Sequence, residues 1–448
     1  MAESTDNLAA VLHGIDDLRM EQIPIPVPGP HQVLVRVHTV GICGSDVHYW
    51  THGAIGNFVV REPMVVGHET SGVVAGVGSE VKDFQVGDRI AMEPGLPCKG
   101  CEHCKKGRYN LCADMKFFAT PPINGTLARY VVHDSAFCYK WCSFVGTSVG
   151  VTSPLEPEKA VGRGDEGRED GRSRKFSSNS QIEEWEPFQV LRDFHELLIQ
   201  PINGAFPLQN PSEDVILHRP HRLRGPRRLG QRPSLAPVGR LPDNVSFEDG
   251  SLLEPLSVAV HACRRANLQM GNRVLVLGAG PIGVLNMMTA KAAGAGRVIV
   301  TDLDDSRLAL AKKLGADEVI NVRNKRVVDI RAEIILAMGS EPDISIECTG
   351  AQPCVETAIM TTISGGVIVL VGLGASRIEI PIIESACREV DIRGIFRYVN
   401  CYPTALELVA SGRIDLSGLT RAHYPLEQTL EAFKRTQKAD VVKVFIQC

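Results

Sequence analysis

Three groups of residues in this chain could do chemistry. Cys98, Cys101, Cys104 and Cys112 follow the spacing C-x2-C-x2-C-x7-C. Four thiolates at that spacing can enclose Zn²⁺ as a closed tetrahedron with arms of roughly 2.3 Å, a structural site with no open position. The setting GLPCKGCEHCKKG supplies glycines that let the backbone fold around an ion. The second group is dispersed: Cys43 in GICGSDVHYW, and His68 with Glu69 in GHETSGVVAGVGSEV. Taken singly, Cys43 fits a core position, His68 a turn histidine and Glu69 a surface carboxylate. Taken together, a thiolate, an imidazole and a carboxylate leave room on an ion for water or substrate, as a catalytic zinc requires. The third group is Gly278-Ala279-Gly280-Pro281-Ile282-Gly283. Glycines so spaced permit a tight turn, close approach of a pyrophosphate and close helix–strand packing.

The elements around these residues fall into distinct stretches. Residues 1–140 carry short β-branched runs (VLVRVHTVGIC, SGVVAGVG, VGDRIAME) bounded by Gly, Pro and Asp, which read as strands. From about residue 257, the apolar runs RVLVLGAG, RVIVTD, ISIECTG and GGVIVLVGLG alternate with the helical stretches GVLNMMTAKAAGA and DSRLALAKKLGA. That alternation predicts βαβ units and a parallel sheet. The glycine motif follows the strand RVLVL, and Asp302 ends the next strand, about twenty residues on. A carboxylate there accepts from a ribose diol and repels a 2′-phosphate, so NAD is expected rather than NADP. Arg307 could hold a phosphate or lie along the adenine or ribose. From about 399 the text is mixed and ends in the strand-like VVKVFIQC.

Residues 141–240 fit neither pattern. VGRGDEGREDGRSRK and HRPHRLRGPRRLGQRP are rich in Arg, Pro and Gly and lack apolar periodicity, which reads as a disordered insertion. No aromatic interleaving accompanies the arginines, so nucleic-acid binding is not expected. FCYK (137–140) and LPDNVSFEDG (241–250) would join as a continuous loop and turn without the tract. We read it as translated non-coding sequence.

Composition bounds the rest. A length of 448 residues favours two or three domains, and 44% hydrophobic with 22% charged residues is enough to bury cores. Lys+Arg 48 against Asp+Glu 52 gives a net charge of -4, which argues against nucleic acid as the partner. No apolar run of about 18 residues occurs, so no membrane span is expected. The start MAESTDNLAAVLHG lacks a signal-peptide layout, so the expected location is cytoplasmic. Thirteen cysteines in such a chain point to metal sites and core thiols rather than disulfides.

With these motifs placed, the chain resembles the zinc-containing, medium-chain alcohol dehydrogenase superfamily. Gly67, His68, Glu69, Gly72, Gly78 and Val81 reproduce its zinc signature G-H-E-x2-G-x5-G-x2-V. GICGSDVHYW, HGAIGNFVV, GRYNLC, ATPP, LLEPLSVAVHACRRA, ECTGA, REVDIRGIFRYVN and YPLEQTLEAF resemble its polyol branch, the sorbitol and xylitol dehydrogenases. The resemblance covers about 8–140 and 241–448. It implies an α/β plus β fold: a GroES-like β-barrel catalytic domain with a Rossmann domain built on a doubly wound parallel sheet. The barrel would take residues 1–140, 241–256 and 399–448, and the Rossmann domain 257–398.

Residue by residue, the resemblance implies a catalytic zinc on Cys43, His68 and Glu69 and a structural zinc on the cysteine quartet. Glu254 would hold the zinc-bound water and contact substrate; the same carboxylate could instead cap a turn before Pro255. Tyr49, Arg397 and Tyr398 match substrate contacts, with Phe117 and Thr120 at further pocket positions. Gly278, Gly280, Ile282, Gly283, Asp302 and Arg307 would bind NAD, with Val371, Gly372, Leu373, Ile395, Phe396 and Arg397 beside the nicotinamide. Ser45 and His48 would carry the hydroxyl proton to solvent. The implied reaction oxidises a small polyol to a ketose, in a homotetramer. Zinc alcohol or threonine dehydrogenase is a rival reading, against which Glu254 and the Arg397–Tyr398 pair speak. A non-catalytic relative disabled by the 141–240 insertion is another. Deleting 141–240 is expected to raise soluble yield and specific activity; an equal or lower specific activity of the trimmed protein would show that the tract belongs.

Overall fold

The computed structural model describes residues 6–140 and 244–448. The expectations for the tract 141–240 therefore lie outside the described residues.

The expected parallel sheet is present. Six strands lie in the order Glu318–Asn321, Arg297–Asp302, Arg273–Leu277, Ile344–Glu347, Val367–Leu370, Asp391–Gly394. Every neighbouring pair is parallel. In chain order this is 3-2-1-4-5-6, the doubly wound arrangement whose direction reverses beside the first strand. Alternate side chains face opposite layers. Val274 and Val276 enter the core shared with helices Phe247–Ala266 and Pro281–Ala292, whereas Leu275 and Leu277 enter a second core with Ile330, Ile334 and Ile359.

The remaining strands build a separate, largely antiparallel system. Its largest sheet has seven strands centred on Gln32–Gly41, which pairs with Glu69–Val77, Tyr130–Asp134 and Lys443–Gln447. The last strand brings the C-terminal segment back against the N-terminal one, with Phe445 opposite Gly41 and Ile446 opposite Val40. Phe445 is fully buried and belongs to the same core as the helix Phe247–Ala266.

That helix joins the two systems. Ser246 caps it: its Oγ accepts from Asp249 N at 3.0 Å while Asp249 Oδ2 accepts from Ser246 N at 3.2 Å, a reciprocal box that satisfies two end donors. Asn267, at φ 56, ends it in the left-handed conformation. This helix spans residues 256 and 257, and its buried residues include every position from Gly250 to Ser257.

His133, on the strand Tyr130–Asp134, is 1% exposed and donates from Nε2 to the Glu93 carbonyl at 2.7 Å. Burial lowers its pKa to about 4. The unfolded chain takes up this proton below about pH 6.5 while the folded one does not, so stability falls as pH drops from 6.5 to 4. The contribution is on the order of 3 kcal/mol. Urea titrations of wild type and His133→Gln across that window should show a shallower acid slope in the variant; identical slopes would contradict this.

Candidate active site

Cys43 stands at the N-cap of the helix Gly44–His52. The turn is set by Asp46, whose Oδ2 accepts from Cys43 N at 3.1 Å and Oδ1 from Gly67 N at 3.0 Å. Glu69 opens the strand Glu69–Val77 opposite Gly41. These two anchors bring ligand atoms of Cys43, His68 and Glu69 within 4.8 Å of one another, with His68 and Glu69 buried.

The donor set fits zinc. Sulfur, nitrogen and oxygen donors converge, and the protein supplies three rather than four. His68 Nδ1 lies 3.4 Å from Asp46 Oδ1, an ion-pair contact between two buried side chains. Burial opposes a charged His68, but Asp46 and Cys43 outweigh it and hold its pKa well above the usual value. The local field therefore favours a cation. Glu69 Oε2 meets the ammonium of Lys443.

The quartet converges as its spacing requires. Ligand sulfurs of Cys98, Cys101, Cys104 and Cys112 lie within 4.8 Å, and none is in a disulfide. Cys101–Cys104 and Cys98–Cys104 are 3.5 and 3.9 Å apart, close to the edge of about 3.8 Å of a tetrahedron with 2.3 Å arms. Amides donate to two of the sulfurs: Cys101 N to Cys98 Sγ at 3.3 Å and Cys98 N to Cys112 Sγ at 3.4 Å, although burial raises the Cys112 thiol. Hydrogen bonds from the Gly100 and Cys101 amides bring Cys98 down to about 7.

Tyr49, Phe117, Thr120, Glu254, Arg397 and Tyr398 form a connected group. Arg397 Nη2 donates to Thr120 Oγ1 at 3.0 Å, and its guanidinium lies 3.7 Å from the Phe117 ring centroid and 4.7 Å from that of Phe396. Phe117 in turn packs on His68, centroids 5.7 Å apart. Burial lowers Arg397 to about 10 and raises Tyr49 to about 12. Arg397 has φ 53, a left-handed conformation costing about 1–2 kcal/mol in a non-glycine residue and typical of functional positions. Glu254 is 5% exposed; burial pushes it up to about 7, against the pull of His68 and with the push of Glu69. The Tyr398 hydroxyl is buried beside Glu254, and burial with that carboxylate raises its pKa well above the usual value.

A cavity of about 400 Å³ joins Cys43 and Glu69 to Gly280, Ile282 and Arg307. A Cβ on Gly283 would lie 1.8 Å from Gly278 O, so only glycine allows this packing, whereas one on Gly280 would meet nothing within 4 Å. That opening, at the N-terminus of the helix Pro281–Ala292, suits a pyrophosphate. Asp302 Oδ2 accepts from Ala279 N at 2.7 Å, so the carboxylate also braces the glycine turn. Arg307 Nη2 donates to Ala439 O at 3.1 Å.

Other expected cofactor residues stand apart from this cavity's walls. Val371 N and Gly372 N donate to Glu347 O at 2.8 and 3.0 Å, and Leu373 is exposed. Ile395 and Phe396 line a smaller cavity of about 90 Å³ with Arg108, His261 and Arg265. Ser45 and His48 share one helix face at i, i+3, with His48 exposed and stacked on His52 at 4.3 Å.

Sequence reasoning missed three contributors. Asp46 sits in the quoted stretch GICGSDVHYW, and its place three residues after the N-cap was a usable capping signal. Thr436–Val444 walls the large cavity from the far end of the chain, with no local signal. The quartet loop also grips the substrate segment. Asn110 Nδ2 donates to Phe396 O at 2.9 Å, and Asn400 N to Tyr109 Oη at 2.9 Å.

Comparison with known proteins gives the family and the fold. The chain matches the family described as alcohol dehydrogenase GroES-like domain over residues 29–143, and zinc-binding dehydrogenase over 281–411. It is 41% identical over 448 residues to the sorbitol dehydrogenase of Gallus gallus, covering 100% of this chain and 98% of the relative. Against the sorbitol dehydrogenase of Homo sapiens the identity is 39% over 447 residues, covering 100% and 97%. Among solved structures, an oxidoreductase/dehydrogenase of unknown specificity from Escherichia coli superposes with a TM-score of 0.72 at 28% identity, covering 98% of this chain and 99% of that one.

Asp46→Asn should weaken metal retention at the Cys43 set by about 10–100-fold, since the carboxylate behind a ligating histidine fixes its orientation. Competition with a chromophoric chelator measures this; unchanged retention would remove Asp46 from the metal centre.

Proposed function

Because this chain belongs to the zinc-containing medium-chain alcohol dehydrogenase family, in its polyol branch, we propose that it oxidises a sugar alcohol to the ketose. Sorbitol, xylitol or a similar polyol is the hydride donor and NAD the acceptor. The observation that carries this reading is the meeting of three metal donors within 4.8 Å with a buried, hydroxyl-reading pocket.

Zinc bound by Cys43, His68 and Glu69 would supply Lewis acidity at a secondary hydroxyl, and NAD the hydride acceptor. One zinc is assigned to that set and one, structural, to the quartet. The chain's own residues do the rest. Glu254, near 7, can accept a hydrogen bond or hold a proton beside the reacting hydroxyl at neutral pH. Buried Tyr49 and Tyr398, with half-buried Arg397 and Thr120, present polar groups for neighbouring hydroxyls. An alkyl alcohol would offer these groups no hydroxyls to pair with, and each buried polar group left without a partner costs about 1–3 kcal/mol. Ser45 and His48, on one helix face, are assigned the route of the proton to solvent. Asp302, at the end of its strand, supports NAD over NADP by repelling a 2′-phosphate. Val371, Gly372, Leu373, Ile395 and Phe396 are assigned to the nicotinamide side.

The same reading includes a cytoplasmic homotetramer acting on small molecules. No helix among the described residues is long and apolar enough to cross a membrane.

The test is production of NADH from a panel of polyols and simple alcohols, with and without a zinc chelator. Polyols should exceed ethanol in kcat/KM by about 10⁴-fold, the discrimination typical of a site built to bind hydroxyls, and chelation should abolish turnover. A chelated, metal-free protein that keeps full turnover would refute the proposal.

A further inference from the structure

Lys443 has no role in the chemistry derived so far. It opens the strand that closes onto Gln32–Gly41, its side chain is 5% exposed, and its ammonium meets Glu69 Oε2. The chain makes room for this pair. A Cβ on Gly41 would fall 2.7 Å from Lys443 Cε and would also strike Glu69 Oε2. Cys43, Glu69 and Lys443 line the same cavity. A buried cation thus rests on one of the three donors assigned to the catalytic metal.

Two effects of this ammonium oppose each other. By holding Glu69 it orients a ligand, and such outer contacts are worth about 10–100-fold in metal affinity. It also repels a divalent ion a few ångströms away. At an effective dielectric of about 20, repulsion between one and two unit charges at that range exceeds the orienting gain.

We infer that Lys443 is a positioning residue that competes with the metal for Glu69 and lowers the affinity of the catalytic site. The ammonium holds Glu69 in the metal-free protein, and the carboxylate is shared once an ion enters. The inference rests on the reading of Cys43, His68 and Glu69 as the metal centre, and goes beyond it in making the strength of that centre adjustable from the C-terminal strand.

The experiment uses full-length wild type, Lys443→Met, Lys443→Arg and Cys43→Ser, stripped of metal and titrated with zinc against a chromophoric chelator. The quartet serves as internal reference: its affinity should be equal in all four proteins and reports that each is folded. Lys443→Met should bind zinc at the Cys43-dependent site about tenfold or more tightly than wild type, with Lys443→Arg close to wild type. If the Met variant does not fold, Lys443→Gln takes its place. Equal or weaker binding in the neutral variant overturns the inference. If NADH affinity falls at the same time, Lys443 serves the dinucleotide instead. Wild type without any Cys43-dependent zinc would overturn the metal reading together with the inference.

Discussion

Everything in the site depends on one electrostatic constraint. A thiol, an imidazole and a carboxylate are packed within 4.8 Å, two of them buried, with Asp46 fully buried behind the imidazole. Burying carboxylates and a thiolate together is costly unless a cation sits among them. The sheet, the helix cap at Cys43 and Gly41 opposite Glu69 serve to hold that arrangement against its own repulsion. The raised pKa of His68 and the buried ammonium of Lys443 are two responses of the polypeptide to the same concentration of negative charge.

The helix Phe247–Ala266 carries this constraint to the dinucleotide side. Its Glu254 lies beside His68 and Glu69, while its apolar face shares a core with Val276 of the parallel sheet and Val284 of the helix Pro281–Ala292. Pro255 removes one backbone bond from the interior of the helix. Because one rigid element bears both the carboxylate and the packing face, the distance between metal chemistry and hydride acceptor is set by side-chain packing rather than by a loop.

Much of this was legible in the sequence, and the reason differs by feature. Cysteine spacing and the glycine motif are local, so short-range geometry dictated their outcome. The doubly wound sheet followed from alternating apolar strands and helices, because strands buried on both faces read as continuous Val/Ile/Leu runs. The resemblance supplied Glu254, Tyr398 and Arg397, and the structure groups them. What stayed hidden were contacts with a long sequence separation: Lys443 against Glu69, Asn110 against Phe396, Arg307 against Ala439. No periodicity announces which residue of a strand will sit beside a distant carboxylate. The helix Phe247–Ala266 runs through Pro255, which resembles a break when only propensity is considered.

The pairing of Lys443–Gln447 with Gln32–Gly41 also bears on the order in which the protein is made. The ribosome synthesises that closing strand after every other described element. Until it emerges, part of the edge of Gln32–Gly41 lacks its partner and Glu69 lacks its counter-charge. If the barrel were to form before that strand emerged, an open sheet edge would lie beside a carboxylate without its cation, and an ion captured then would meet no competing ammonium. Loading with metal during translation and loading after release would then be different reactions of the same polypeptide.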